Sequence, residues 1–206
     1  EIMVTCIARQ IKDGEVVAQG IATPLIAAAY ILARTTHAPN LYFMSAIGQG
    51  VCRYPAPISV TNIEELWLSR SLTQVGFARA VSEGLTSMKP KEFFRPGQID
   101  KHGNFNNIAI GKDVRKPRLR LPGVGGIPDV TTYLDNIYLY VPRHSRVTFV
   151  ETIDIKSGLG FSSTQNLGPG PKYLVSDLGQ FSFTDGIMTL NSIHPGVDID
   201  RIKRKT

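Results

Sequence analysis

The sequence predicts an α/β protein: an open, mostly parallel sheet in three layers, with helices on both faces, that finishes in an antiparallel portion. Glu15-Val-Val-Ala-Gln-Gly20 reads as a short strand, Thr23 to Ala33 as a helix and Leu41 to Ser45 as a second, buried strand. Such β-α-β alternation implies parallel strands joined by right-handed crossovers. Near the other end, Tyr173 to Ser176, Phe181 to Phe183 and Met188 to Leu190 are short strands, the last two separated by Asp185-Gly186. That dipeptide is hairpin chemistry, so the fold should end antiparallel.

The elements follow in order. Thr5 to Lys12 has helical spacing, and Asp13-Gly14 ends it with turn residues. Pro24 sits early in the next helix, where its missing N–H costs nothing, and the near absence of polar residues through Ala33 predicts burial. Ligands of open parallel sheets bind beyond the carboxyl ends of the strands. Ala46 to Cys52, with glycines at Gly48 and Gly50, follows strand 41–45 and should lie on that edge. Asn62 suits a helix cap, with Glu64 and Glu65 in the first turn. Lys89 to Pro96 reads as a surface loop. Asp100-Lys-His-Gly-Asn-Phe-Asn106 reads as a turn in which Asp and Asn bond their own backbone, with His102 facing solvent.

Pro122-Gly-Val-Gly-Gly-Ile-Pro-Asp129 places three glycines and two prolines in eight positions, which neither a helix nor a strand interior tolerates. Amide N–H groups of such a loop can grip a phosphate, a carboxylate or a thioester oxygen, although glycine also serves plain tight turns. Asp129 is read as the cap of a following helix, and Ile137 to Val141 as a buried strand. Val147 to Val150 is expected to be another strand. Glu151 and Asp154 should then point to different faces, which weakens any paired acid/base role.

At 206 residues and 42% hydrophobic, the chain suits one domain spanning 1–206 with a sizeable core. The best apolar run, Ile21 to Ala33, is interrupted and too short to span a bilayer, so no membrane role is expected. Glu1-Ile-Met-Val-Thr5 has no basic, signal-like start, which together with only two cysteines, Cys6 and Cys52, leads to a cytoplasmic expectation. Neither a disulfide framework nor a metal site is indicated. The net charge of +6 concentrates in Lys112 to Arg120 and Arg201 to Lys205. No nucleic-acid motif accompanies it, so a solvated basic face is expected rather than nucleic-acid binding.

Gly97-Gln-Ile-Asp100 with Gly103-Asn104-Phe-Asn106, then Gly123-x-Gly125-Gly126, resembles the β subunit of family I CoA-transferases such as glutaconate CoA-transferase. Ala38-Pro39-Asn40, Ser176-Asp-Leu-Gly179 and His194-Pro-Gly-Val197 extend the resemblance over nearly the whole chain. It implies the CoA-transferase type of sheet and acyl-CoA as substrate. No cofactor would be permanently bound, coenzyme A entering as part of the substrate, and an α subunit would complete an αβ or α2β2 heteromer. The basic surface would suit the phosphates of coenzyme A. Gly123, Val124, Gly125 and Gly126 would hold the acyl or thioester oxygen, with Asn104, Asn106 and Gly48 on the active edge.

The resemblance also exposes a departure. The family's catalytic glutamate, whose carboxylate forms an acyl anhydride and then a glutamyl-CoA thioester, falls at Ala46, and no residue from 41 to 54 is acidic. Cys52 is the alternative nucleophile, set against its being an inert small hydrophobe. Glu151-x-x-Asp154-x-x-Ser157-Gly158-x-Gly160 is similar to the β subunit of steroid ring-cleaving CoA hydrolases, which also lack that glutamate in its usual place. Hydrolysis, or carbon–carbon cleavage such as decarboxylation, of a CoA thioester is therefore expected ahead of transfer between carboxylic acids. A non-catalytic CoA-binding partner subunit is a further alternative, and a sugar-phosphate isomerase fits the fold class but not the motifs.

Overall fold

The computed structural model describes residues 1–20, 23–45, 49–55, 69–111, 113–162 and 168–206; the expected cap and first turn at Asn62, Glu64 and Glu65 lie outside them. The backbone gathers into two compact units, Glu1–Phe93 and Phe94–Thr206. In the first, helix α1 (Ile2–Ala8) precedes strand β1 (Val16–Ala18), helix α2 (Pro24–Thr36), and strands β2 (Tyr42–Ser45), β3 (Gly50–Cys52) and β4 (Ser71–Gln74). Short helices α3 (Phe77–Arg79) and α4 (Leu85–Met88) flank a π-helical turn at Ala80–Gly84, and β5 (Lys91–Phe94) follows. The strand order is β5-β1-β2-β3-β4. The predicted β-α-β unit is present: β1 lies parallel to β2, Val17 beside Phe43, and parallel to β5, Val17 beside Lys91. Antiparallel pairing of β2 with β3 and of β3 with β4 was not foreseen.

The apolar helix explains this packing. Ile26, Ala27, Ala29, Tyr30 and Ala33 of α2 are buried. The Tyr30 ring sits 6.4 Å from Phe43 on β2 and 6.3 Å from Phe93 on β5, and its hydroxyl donates to the Ala18 carbonyl at 2.7 Å. Helix and three parallel strands are thus locked through one side chain.

Residues 89–96 correct the expectation of a surface loop, because β5 is a parallel strand with Lys91 and Phe93 buried. Its charge is answered from far away in sequence. Lys91 Nζ donates to Glu15 Oε1 at 2.9 Å and Oε2 at 2.7 Å, and also to the Gln10 carbonyl. Lys91 is buried and Glu15 half-buried, so removing the glutamate, which leaves the lysine's charge without compensation, costs on the order of 3 kcal/mol.

The second unit holds β6 (Gln98–Ile99), β7 (Phe105–Asn106), β8 (Ala109–Ile110), β9 (Leu119–Arg120), α5 (Ile127–Tyr133), β10 (Ile137–Val141), β11 (Tyr173–Ser176), β12 (Gly179–Thr184), β13 (Ile187–Ile193) and α6 (Ile199–Lys205). β10 and β11 are parallel, Leu139 beside Leu174. β11–β12 and β12–β13 are antiparallel, as expected of the end of the chain. Asp185 and Gly186 turn the last hairpin with φ of 51° and 74°, the pair of positive values a type I′ turn requires.

Val147 to Val150 is not a strand. Thr148 and Phe149 donate back to the Ser145 carbonyl, both at 2.9 Å, and only a single bridge joins Phe149 to Ile99. The compact turn lets Phe149 stack on His144 at 3.7 Å. At α6 the Asp198 side chain accepts the Asp200 N–H, and Lys203, Arg204 and Lys205 occupy the last turn, where the helix dipole favours positive charge.

Candidate active site

The glycine-rich loop rises from a buried polar frame within the second unit. In the 100–106 turn, Asp100 Oδ1 accepts from the N–H groups of His102 (2.9 Å) and Asn104 (3.0 Å), and Oδ2 from Asn104 Nδ2 (2.9 Å). Asn104 Oδ1 in turn accepts from the Gly160 N–H at 3.1 Å. Asn106 has no exposed surface, and its Nδ2 donates to Gln98 Oε1 and to the Ala109 carbonyl, each at 2.7 Å. Its Oδ1 accepts from the Ile108 N–H at 2.9 Å. Both asparagines spend their polar atoms inside the protein; they build the frame under the loop.

Asp154 belongs to the same frame. Its Oδ2 accepts from Gln98 Nε2 at 3.1 Å and from the Gly111 N–H at 2.8 Å. Glu151 is exposed, so the two carboxylates differ in surroundings, although 151–154 is a run of bends and not the strand whose alternation was expected to part them. Ser157 adds a donor-acceptor link, its Oγ accepting from the Asn107 N–H at 2.8 Å.

From this frame a ladder runs outward. Arg118 N–H donates to the Ile110 carbonyl (2.8 Å), Leu121 N–H to Ile108 (3.0 Å) and Gly123 N–H to Asn107 (2.9 Å). The last rung fixes the start of the glycine loop. Gly123 and Gly125 then take φ of 108° and 49°, and a Cβ on either would meet nothing within 4 Å. Among the described residues, no hydrogen bond leaves the N–H of Val124 or Gly125. Gly126 is the residue before the first turn of α5, which places Asp129 inside that turn and corrects its assignment as the cap. The side chain that should have capped the helix is absent, and the loop's backbone faces open space.

In the segment that follows β2 in the first unit, Ala46 and Gly48 lie outside the described residues. Nearby in sequence, Cys52 is buried at the end of β3, its Sγ 3.8 Å from Ser71 Oγ. Burial pushes the thiol's pKa up against weaker lowering by Ser71 and Arg70, so the thiolate a nucleophile needs is disfavoured. A groove of about 330 Å³ opens alongside, lined by Met44, Gln49, Gly50, Thr73, Arg79 and Ser87. Gln49, one of the lining residues, holds a positive φ of 54°.

Two features of this unit escaped the sequence. Gln19, just past β1, is buried, and among the described residues its Nε2 has no hydrogen-bond partner. Glu92 of β5 is removed from water far enough to push its carboxyl up to about 7. A carboxyl poised there is the kind of group that exchanges protons at neutral pH. Neither shows a local signal, because both depend on what other strands place around them.

The histidines are structural in their contacts. His102 is half-buried rather than solvent-facing, because its Nδ1 lies 3.2 Å from the Gly186 carbonyl. His144 is buried between Ser176 Oγ and Thr206 Oγ1, each 3.0 Å away, and burial lowers its pKa to about 4, so it stays neutral. His194 Nε2 lies 2.9 Å from the Ser176 carbonyl.

Comparison with known proteins adds the following. Residues 1–205 match the family model described as coenzyme A transferase. The β subunit of glutaconate CoA-transferase from Acidaminococcus fermentans is 30% identical over 90% of this chain and 72% of its own. The crystal structure of that enzyme superposes with a TM-score of 0.85, covering 98% of this chain and 82% of the matched one, at 25% identity. The cholesterol ring-cleaving hydrolase IpdB subunit of Rhodococcus jostii is 31% identical over 94% of this chain and 74% of its own. The crystal structure of the decarboxylase AibA/AibB matches at 27% identity with a TM-score of 0.80, covering 98% of this chain and 80% of the other. A transferase, a hydrolase and a decarboxylase thus share this fold. Among the described residues no helix is long and apolar enough to cross a membrane.

Proposed function

The chain belongs to the coenzyme A transferase family, and from that premise we propose that it is one subunit of an enzyme that hydrolyses, or cleaves a carbon–carbon bond of, an acyl-CoA thioester. It works with an α subunit of related fold in an αβ or α2β2 heteromer. The observation that carries this reading is the open turn at 123–126, whose glycines leave room for a ligand directly against the backbone. The N–H groups of Val124 and Gly125 would donate to the thioester oxygen as it gains negative charge, an electrostatic stabilisation that serves hydrolysis, decarboxylation and transfer alike.

The absence of any acidic residue from 41 to 54 ranks the chemistries. Ping-pong transfer needs a carboxylate nucleophile, and Ala46 supplies only a methyl group. Cys52 is a poor substitute while buried and held in its thiol form. Water or decarboxylation then takes the place of the attacking carboxylate, with proton transfer by a carboxyl of the α subunit. Among the relatives, the hydrolase and the decarboxylase support this ranking, and glutaconate CoA-transferase keeps transfer as the alternative.

The test is incubation of the assembled complex with acyl-CoA and an acceptor carboxylate. Free coenzyme A or a decarboxylated thioester is expected. Formation of a new acyl-CoA together with a hydroxylamine-sensitive label on the enzyme would instead establish transfer. CoA affinity with no turnover would mark a binding subunit without catalysis.

A further inference from the structure

The ladder that carries the glycine loop also carries one of the two concentrations of positive charge in the second unit, the other being Arg201 to Lys205 on the last helix. Between β8 and β9 the chain turns through Asp113 and Lys116, with the Lys116 N–H donating to the Asp113 carbonyl at 3.1 Å and Arg115 N–H to Asp113 Oδ1 at 2.9 Å. Arg115, Lys116, Arg118 and Arg120 are all exposed. Asp113 forms an ion pair, among the described residues, with Arg115 alone, at 3.6 Å. Among the described residues no carboxylate forms an ion pair with Lys116, Arg118 or Arg120. Arg120 is held in place by donating to the Val114 carbonyl at 2.8 Å.

Unanswered like charges on a short hairpin repel one another, and they are stabilised when an anion of high charge density lies among them. Guanidinium groups match phosphate oxygens through paired N–H donors. The position of the hairpin is as informative as its charge. Gly123 follows Arg118 by five residues, so the two stand at most roughly 17 Å apart along the chain. This reach is comparable to the pantetheine arm that separates a thioester from the pyrophosphate and 3′-phosphate of coenzyme A. The base of the hairpin is stiff, because the Gly111 N–H is bound by the buried frame at Asp154 and Arg118, Leu121 and Gly123 are rungs of one ladder.

We propose that the β8–β9 hairpin is the phosphate-binding site for the nucleotide end of the CoA thioester, with Lys116 and Arg118 contacting the phosphates while the 123–126 turn holds the other end. The proposal rests on the acyl-CoA reading above and extends it to a second contact on this chain. It makes the hairpin and the glycine turn two ends of a ruler for one ligand, and it assigns to the basic cluster a ligand rather than solvent.

The experiment uses the assembled complex with the charge-reversed double variant Lys116→Glu/Arg118→Glu. Neither side chain donates to the frame, so the melting temperature should hold. With acyl-CoA, KM is expected to rise at least roughly tenfold, the loss of about one charge-assisted hydrogen bond to phosphate. With the same acyl group on pantetheine, which lacks the nucleotide, KM should not change. The wild-type preference for acyl-CoA over acyl-pantetheine should also shrink as salt is raised. An unchanged KM for acyl-CoA, or an equal rise for both substrates, overturns the assignment. If the wild-type complex turns over neither substrate, the catalytic reading fails separately, and calorimetry with free coenzyme A still decides the hairpin: tenfold weaker binding by the variant sustains it, and equal binding removes it. Binding of a DNA or RNA oligonucleotide that the variant abolishes, with coenzyme A affinity unaltered, would also refute it.

Discussion

Two glycine-rich stretches of the second unit look alike in sequence and differ in use. A Cβ on Gly160 would stand 2.1 Å from the His102 carbonyl oxygen, one on Gly158 2.2 Å from the Phe105 ring, and one on Gly103 2.6 Å from Pro171. These glycines exist because protein fills the space a side chain would take. On Gly123 or Gly125 a Cβ meets nothing within 4 Å, and on Gly126 the nearest atom is Val130 Cγ2 at 3.8 Å. Here the space is left open. Glycine makes way for neighbouring protein in the first place and leaves the backbone open in the second.

That contrast can be broken at several points. The largest effect is expected for Gly160→Ala, where the clash is with backbone and no rotamer relieves it: a loss on the order of 4 kcal/mol, or no soluble protein, measured by urea denaturation. A variant as stable as the parent would show that the 157–160 segment is not packed as described. Next comes Asn106→Ala, which removes the acceptor of the Ile108 N–H and takes a donor from the Gln98 and Ala109 oxygens at once. About 3 kcal/mol should disappear, with KM unchanged for whatever folded protein remains; a raised KM at full stability would return this residue to substrate contact.

Acid should attack the same framework. His144 has a folded pKa of about 4 against an ordinary value near 6.5, so burial of the neutral ring favours folding fully above pH 6.5. That contribution is lost as pH falls from 6.5 through 4, amounting to about 2 kcal/mol at pH 5. His144→Gln should flatten the decline in melting temperature over this window, and a decline of unaltered slope would assign it to other groups. The smallest stability change belongs to Gly126→Ala, whose φ of −89° suits any residue: within about 0.5 kcal/mol. Yet acyl-CoA turnover should drop several-fold because a methyl group now occupies the ligand's side of the turn; unimpaired turnover would mean the opening is merely surface.

Much of the frame is legible in the sequence. The apolar helix 24–36, the strands around it and the closing hairpin each declare themselves by a local pattern, and the motif at 100–106 is a turn as its residues suggest. What escapes depends on partners distant in sequence. Lys91 and Glu92 give 89–96 the look of a surface loop, because nothing nearby hints that Glu15 will neutralise the lysine. Asn104 and Asn106 read in sequence as residues of the active edge, since polarity beside a glycine loop looks the same whether the groups face inward or out; the hydrogen bonds they make in the fold run to Asp100, Gly160, Gln98 and Ala109, partners that local pattern does not reveal. Asp129 resembles a cap by type and position, but Gly126 begins the helix earlier. For Cys52, burial and the raised thiol pKa follow from β3 lying between β2 and β4, an arrangement that spacing alone does not reveal.

The hydrogen bond from Gly123 to Asn107 sets the exposed turn on a stem that is complete without it. Such a division lets the tip vary in size and polarity while its stance is preserved, so residues 122–126 could be exchanged as a cassette without redesigning the domain beneath. Swapping tips among chains of this architecture offers a direct way to ask how far one outer bend, rather than the scaffold, selects among hydrolysis, decarboxylation and transfer.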